Sequence, residues 1–203
     1  MQYQKGDIRS NILKTARIEF LDKGYKDASM RTMAKNANVG LSNIYNYFKN
    51  KDEIFCEVMR PLTSSMDKML NDHNDKHFIS LDVFTSEVYL REMIDAFVGL
   101  IKTFKEELKL LLFLSHGSSL ANFVNEYTDR HTTLGLEYIR LMKEKYPKIN
   151  GNISVFFIHT MSSWWITIIG EIVTHDLLDQ EIETFVAEYI EFGTAGWKRI
   201  MKA

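Results

Sequence analysis

The sequence predicts an all-α fold: a small three-helix head followed by a larger helical-bundle body. Three observations predict it. Apolar residues recur at spacings of three and four over most of the 203 residues, without strict alternation. Two Pro and ten Gly are few for a β-rich or loop-rich chain. Charge is uneven as well: residues 1–52 hold ten Lys or Arg against five Asp or Glu, and the remainder holds fifteen against twenty-two. A basic head on an acidic body suits a head that meets phosphate and a body that does not. The expected domains are 1–52 and 53–203.

The first helix is expected from about Asp7 to Lys23. Ile8, Ile12, Leu13, Ala16 and Phe20 form its buried stripe, and Arg9, Lys14 and Arg17 lie outside. Gly24 supplies a left-handed stop, and Tyr25 packs the following loop. Between Ser29 and Lys51 the pattern is two short helices joined by a tight turn. Met30, Met33, Ala34 and Ala37 stripe the first, with Ser29 placed to cap it. Asn38 tolerates the left-handed conformation of a sharp turn, and Gly40 caps the second helix. Ile44, Tyr45 and Phe48 are expected to face inward. Ser42, Asn43, Asn46 and Tyr47 then point away, a small, hydrogen-bonding face suited to a major groove.

The order Ala34, Ala37, Val39, then Tyr45, Tyr47, Phe48 and Lys51 resembles the DNA-binding domain of the TetR/AcrR family of bacterial transcriptional regulators. The resemblance runs from about Ile8 to Phe55, a quarter of the chain. It departs at Asn38, where the family usually has Gly, and at Ala28 and Gly40, where it has Ser or Thr. Those lost hydroxyls bear on phosphate contacts; Leu41 could instead pack on a thymine methyl. Arg31, Thr32, Leu41, Ser42, Asn43 and Asn46 are the candidates for reading bases. Tyr45 (partly buried), Tyr47, Lys49 and Lys51 are assigned to phosphates.

Asn50 and Glu53 make a capping pair for a fourth helix, whose positive end places Lys51 beside a phosphate. This helix runs through Phe55, Val58, Met59 and Leu62 to about Met69, and Pro61 is expected to kink or split it. The kink reads either as a bend through which the body sets the head's angle or as one that the helix merely tolerates. Residues 71–80 read as a polar loop. His73 and His77 are four apart with Asp72 and Asp75 nearby, but no third strong ligand is adjacent and no metal site is assigned.

From Ser86 to about Lys145 the chain reads as helical. Val88, Met93, Phe97, Leu100, Ile101 and Phe104 form one stripe, and Leu108, Leu111, Leu112 and Leu114 form another on a separate, shorter helix. His116 to Ser119 is a break. Phe123, Tyr127, Leu134, Tyr138, Leu141 and Met142 stripe the next helix, ended near Pro147. Ile153, Phe157, Met161, Trp164, Trp165, Ile168 and Ile172 stripe the first of two further helices. Asp179 is expected to cap the last, which carries Ile182, Phe185, Val186, Tyr189, Trp197 and Ile200. The resemblance implies that the last two helices pair with their copies in a homodimer. Phe157, Ile168, Ile172, Phe185, Tyr189, Gly193, Gly196 and Trp197 are the interface candidates.

No Gly-rich phosphate loop, paired-Cys spacing or nucleophile motif is present, so the chain is not read as an enzyme and no cofactor is expected. The lone Cys56 permits no internal disulfide. The N-terminus lacks a signal-peptide pattern, and the longest apolar run, Leu110 to Leu114, is far short of a membrane span. A cytoplasmic protein with no membrane partner is expected. The body's aromatic and Met content could line a pocket for a small apolar or amphipathic effector: Met93, Phe97, Phe104, Phe113, His116, Phe123, Tyr127, His131, Met161, Trp164 and Trp165. His116, Tyr127 and His131 would be its polar points. The resemblance implies a repressor released by such a ligand from a palindromic double-stranded operator. Two other readings stay open: a DNA-binding regulator, activator or protein-controlled, with a filled body, and a helical enzyme or sensor module.

Overall fold

The computed structural model describes residues 5–72 and 78–203. Eight α-helices and one short 3-10 helix, with no strand, make up the described residues. They are α1 (Lys5–Asp27), α2 (Met30–Asn36), α3 (Leu41–Ile44), α4 (Lys51–Asp72), the 3-10 turn (Leu81–Phe84), α5 (Glu87–Phe113), α6 (Phe123–Lys145), α7 (Val155–Thr174) and α8 (Asp179–Met201). His73, Asp75 and His77 lie outside the described residues.

Contacts divide the chain into two compact units. Where the sequence places one boundary after residue 52, the first unit is Met1–Ser64 with Glu106–Phe123, and the second is Ser65–Lys105 with Val124–Ala203. Helices α4 and α5 therefore each contribute an end to both units.

In the first unit Ile12, Ala16, Phe20, Met33, Ile44, Phe48, Ile54 and Phe55 are almost wholly buried. Phe20, Tyr25 and Phe55 form a ring cluster, with Phe55 edge-on to both partners at 5.0 Å. The α1 helix is interrupted at Gly24 (φ 69°, ψ 175°), a conformation nearly restricted to glycine. Space demands glycine too, since a Cβ there would stand 3.3 Å from the Cβ and carbonyl oxygen of Leu114. Residues 106–123 complete this unit by specific bonds. Arg17 Nε pairs with Glu107 Oε1 at 2.5 Å, and the Tyr25 N–H donates to the Leu114 carbonyl at 2.9 Å.

The second unit holds a cluster of Tyr138, Ile139, Met142, Ile149, Ile158 and Met201, edged by Trp197, Phe84 and Tyr146. Lys143 Nζ closes the end of α6 by donating to the carbonyls of Pro147 and Ile149 at 2.7 and 2.5 Å. Asn150 ties the α6–α7 connection to α8 through the carbonyls of Ile200 and Met201.

Two expectations about elements change. Helix α4 is continuous through Pro61 rather than split. Leu178, not Asp179, caps α8; its N–H donates to Glu181 at 2.7 Å and Asp179 falls in the first turn. The two stripes expected from Val88 to Phe104 and from Leu108 to Leu114 fall on either side of Phe104 (φ −125°, ψ 24°), where α5 is two helices joined across a kink, as the sequence predicts. Among the described residues α7 alone is long and apolar enough to cross a membrane. The longest-run criterion misses it because Ser, Thr and His punctuate the helix. Eight of its residues, Ile169 and Ile172 among them, are buried in the protein.

Candidate nucleic-acid interface

The helix-turn-helix is built by local chemistry. Ser29 is extended (φ −112°, ψ 121°) and its hydroxyl accepts from the Thr32 N–H at 3.5 Å, while its own N–H donates to the buried Glu19 carboxylate at 3.0 Å. Helix α2 ends in a left-handed turn at Asn38, φ 55°. There the Val39 N–H donates back to Ala34 at 3.0 Å. Asn11 on α1 clamps the turn by donating to the Ala37 carbonyl at 2.8 Å. Gly40 stands at the extended cap of α3, as its spacing predicts.

Ile44 and Phe48 anchor α3 in the core at 0% and 2% exposure. Tyr45 does not join them. It is 54% exposed, so it lies on the outer face with Ser42 and Asn46. The physical reason is angle: Tyr45 follows Ile44 directly and so points about 100° away from it, whereas Phe48, four residues on, returns to the side of Ile44. Arg31, Lys49 and Asn46 are exposed, while Thr32, Leu41, Asn43 and Tyr47 are half-buried. Asn46 Nδ2 donates to Asn43 Oδ1 at 3.0 Å, joining two outward carboxamides.

Lys51 is placed differently from its expected position beside a free helix end. Its ammonium donates to the carbonyls of Tyr25, Lys26 and Ala28 at 2.7, 3.0 and 3.1 Å and lies 4.6 Å from the Tyr25 ring centroid. It staples the end of α1 to the start of α4. The capping pair forms beside it: Asn50 Oδ1 accepts from the Glu53 N–H at 2.8 Å, and Glu53 accepts from the Lys49 N–H at 2.6 Å. Asp52 turns the other way and accepts the Ser119 N–H at 2.8 Å, while Cys56 Sγ is 3.2 Å from Ser119 Oγ. Burial raises the Tyr25 phenol above its ordinary pKa, and the nearby Asp52 carboxylate adds to this. The staple was hard to foresee, because no spacing in the sequence ties residue 51 to carbonyls at 25–28.

The eleven pocket candidates are divided between the two units. Phe113, His116 and Phe123 belong to the first unit, where Phe113 is 45% exposed and His116 is exposed. Met93, Phe97, Phe104, Tyr127, His131, Met161, Trp164 and Trp165 belong to the second. There Trp165 stacks between Phe97 at 5.5 Å and Tyr127 at 5.6 Å, and His131 meets its edge at 5.7 Å. Tyr127 is buried and its hydroxyl donates to the Met66 carbonyl at 3.1 Å. Burial pushes its phenol far above the ordinary range. A separate open cleft of about 690 Å³ lies near the α6–α7 connection, lined by Leu136, Ile139, Ile149, Ile153 and Ile158 with a basic rim. None of the eleven candidates lines it. Among the described residues no three His, Cys, Asp or Glu side chains are grouped to hold a metal.

The interface candidates also separate. Ile168 and Ile172 are 6% and 2% exposed in the single chain, so they have no surface to give a partner. Phe157 and Trp197 pack on each other at 5.6 Å, and Tyr189 packs on Phe97 and Trp164. Phe185 is 37% exposed, and a methyl at Gly193 or Gly196 would meet nothing within 4 Å. Sequence reasoning missed Phe156 and Phe192, which are 80% and 66% exposed. Phe192 touches Trp164 at 5.9 Å, and it stands seven residues from Phe185, on the same helix face. The signal was present in the adjacent Phe156 and Phe157, which cannot both face one core.

Residues 12–58 match the model of a family described as bacterial regulatory proteins, tetR family. A stretch of 60 residues is 43% identical to the uncharacterized HTH-type transcriptional regulator YhgD of Bacillus subtilis (strain 168). That match covers 30% of this chain and 31% of the relative, so the chain is matched over about a third of its relative's length. The whole fold is similar to that of a TetR-like transcriptional regulator from Rhodococcus sp. RHA1. That likeness has a TM-score of 0.65 at 15% identity, over 96% of this chain and 100% of the other. It is also similar to the transcriptional regulator FadR from Bacillus subtilis in complex with stearoyl-CoA, with a TM-score of 0.62 at 18% identity, over 91% and 98%.

Proposed function

We propose that this chain, whose residues 12–58 match the tetR family model, is a regulator of the TetR/AcrR family, a cytoplasmic, homodimeric repressor whose two heads bind a palindromic operator. The observation that carries the reading is the outer face of α3. Ser42, Asn43, Tyr45 and Asn46 stand away from the buried Ile44 and Phe48, over a turn clamped from both sides. Such a face presents donors and acceptors to a major groove. Arg31, Tyr45, Tyr47 and Lys49 surround it as groove and phosphate contacts. Lys51 holds the head's shape.

Two-fold symmetry of a palindrome calls for a dimer. The apolar surface of Trp164, Phe185 and Phe192, with the open positions at Gly193 and Gly196, supports pairing of α7 and α8 with their copies. A small apolar or amphipathic ligand in the second unit would release the operator by binding the DNA-free state more tightly; coupling of this kind is usually about 1–3 kcal/mol. FadR, which shares the fold, holds stearoyl-CoA, and this supports an apolar ligand for such a helical body. The protein has no catalytic role in this reading.

The mutual stacking of Phe97, Trp165, Tyr127 and His131 favours a second reading, a regulator with a filled body and no small-molecule ligand. A thermal-shift screen of apolar and amphipathic compounds separates the two. A compound that raises the melting point and releases DNA supports the first, and a screen without one supports the second.

The test of the main reading is fluorescence anisotropy with DNA from upstream of this protein's own gene and, in parallel, fragments selected from a random library, across a salt series. Sequence-selective binding weakened by Tyr47→Ala and Lys49→Ala is expected. Lys49→Ala should flatten the salt slope by about one unit. Equal binding to scrambled DNA together with an empty selection would overturn the reading.

A further inference from the structure

The two carboxamides on the outer face of α3 are joined to each other, and we infer that this makes Asn46 the adenine-reading residue of each half-site, with Asn43 positioning it. The inference rests on the DNA-binding reading above. Asn43 is the third residue of α3, and Asn46 follows one turn later. Their backbones are set by Asn43 N–H to Gly40 O at 2.9 Å and Asn46 N–H to Asn43 O at 3.2 Å. Residues three apart on a helical turn share a face. Ile44 and Phe48 are buried on the other side, which fixes that face outward.

The bond between the side chains then decides what they can read. A carboxamide offers two N–H donors and one carbonyl acceptor. Asn46 commits one N–H to Asn43 Oδ1 at 3.0 Å. One N–H and the carbonyl are left for a base, on an exposed residue. Adenine presents the complement in the major groove: N7 accepts and the N6 amino group donates. Guanine presents two acceptors there, so it would leave the Asn46 carbonyl facing an acceptor; thymine adds a methyl in the way. The bond also holds Asn46 in one rotamer before DNA arrives, so less side-chain freedom is lost on binding. Asn43, half-buried and with its acceptor engaged, orients its neighbour.

The experiment uses the full-length protein and the half-site found by selection from a random duplex library. Each base pair of that site is then varied in turn, and adenines are replaced by 7-deazaadenine, which lacks the N7 acceptor. The expected result is one A·T pair at which wild type discriminates by roughly tenfold or more. At that pair Asn46→Ala should bind all four bases within about twofold and be indifferent to 7-deazaadenine. Asn43→Leu, which removes the acceptor, should lower discrimination there. Asn43→Asp, which restores it, should keep discrimination while weakening all sites alike through its charge. Uniform weakening of every sequence by Asn46→Ala, with 7-deazaadenine sensitivity unchanged, would overturn the inference while leaving the DNA-binding reading intact. A selection that yields no preferred sequence would overturn both.

Discussion

Replacing Lys51 by Met keeps the stem and removes the ammonium that bonds three carbonyls, two in the last turn of α1 and one just after it. The bonds to Tyr25 and Ala28 are partly shielded from water and the one to Lys26 is exposed. Each shielded bond is worth about 1 kcal/mol, the exposed bond close to nothing, and the contact over the Tyr25 ring roughly 0.5–1 kcal/mol. The expected loss is about 2–3 kcal/mol, local to the first unit. All three Trp, at 164, 165 and 197, lie in the second unit, so tryptophan fluorescence is a poor reporter of this change. Native-state hydrogen exchange of the segment from Tyr25 to Val39 reads it directly. A loss of that size should speed exchange there roughly 30- to 150-fold. Lys49→Met, at an exposed position, should leave exchange within about threefold. If Lys51→Met also stayed within threefold of wild type, the ammonium would not be a staple. Its placement beside a phosphate would then be the better account.

Asn38→Val should lower stability by about 1–2 kcal/mol, because a β-branched residue is forced to φ 55°, whereas Asn38→Gly should hold or raise the melting midpoint. Tyr127→Phe should cost roughly 1–3 kcal/mol in urea denaturation, since the Met66 carbonyl loses a buried donor. Burial raises the phenols of Tyr127, Tyr138 and Tyr189, the last to about 12. A raised folded-state pKa gives stability that is complete below the unfolded value near 10 and is lost above it. The melting point should therefore carry no phenol-dependent change from pH 7 to 9. Above pH 10 the free energy of unfolding should fall by at most about 1.4 kcal/mol per pH unit for each such group, and the melting point with it. Wild-type protein should sediment as a dimer and Phe192→Asp with Phe185→Asp as a monomer; a wild-type monomer would refute the α7–α8 pairing.

Wherever the relevant partners are a few residues apart, the sequence was sufficient. The caps at Ser29 and Asn50, the left-handed Asn38, the positive φ of Gly24 and the stripes of α1 and α6 are decided within one or two turns of chain, and the structure places them as read. The wish of one turn to bury Ile44 and Phe48 is also local, and it brings the outer face of α3 with it. Tertiary packing decided the rest. Helix α7 is apolar nearly all round, so its spacing could not say which face would be covered by its own chain. The answer buries Ile168 and Ile172 and leaves Phe156 open. The aromatic residues of the second unit could have walled a pocket or stacked, since spacing is blind to what faces a ring across the bundle. Lys51 has a long, flexible stem, and its acceptors, 23 to 26 residues away, exist only once α1 and α4 have met. The addition of 106–123 to the first unit has the same origin, because the Arg17–Glu107 pair spans 90 positions that no local rule connects.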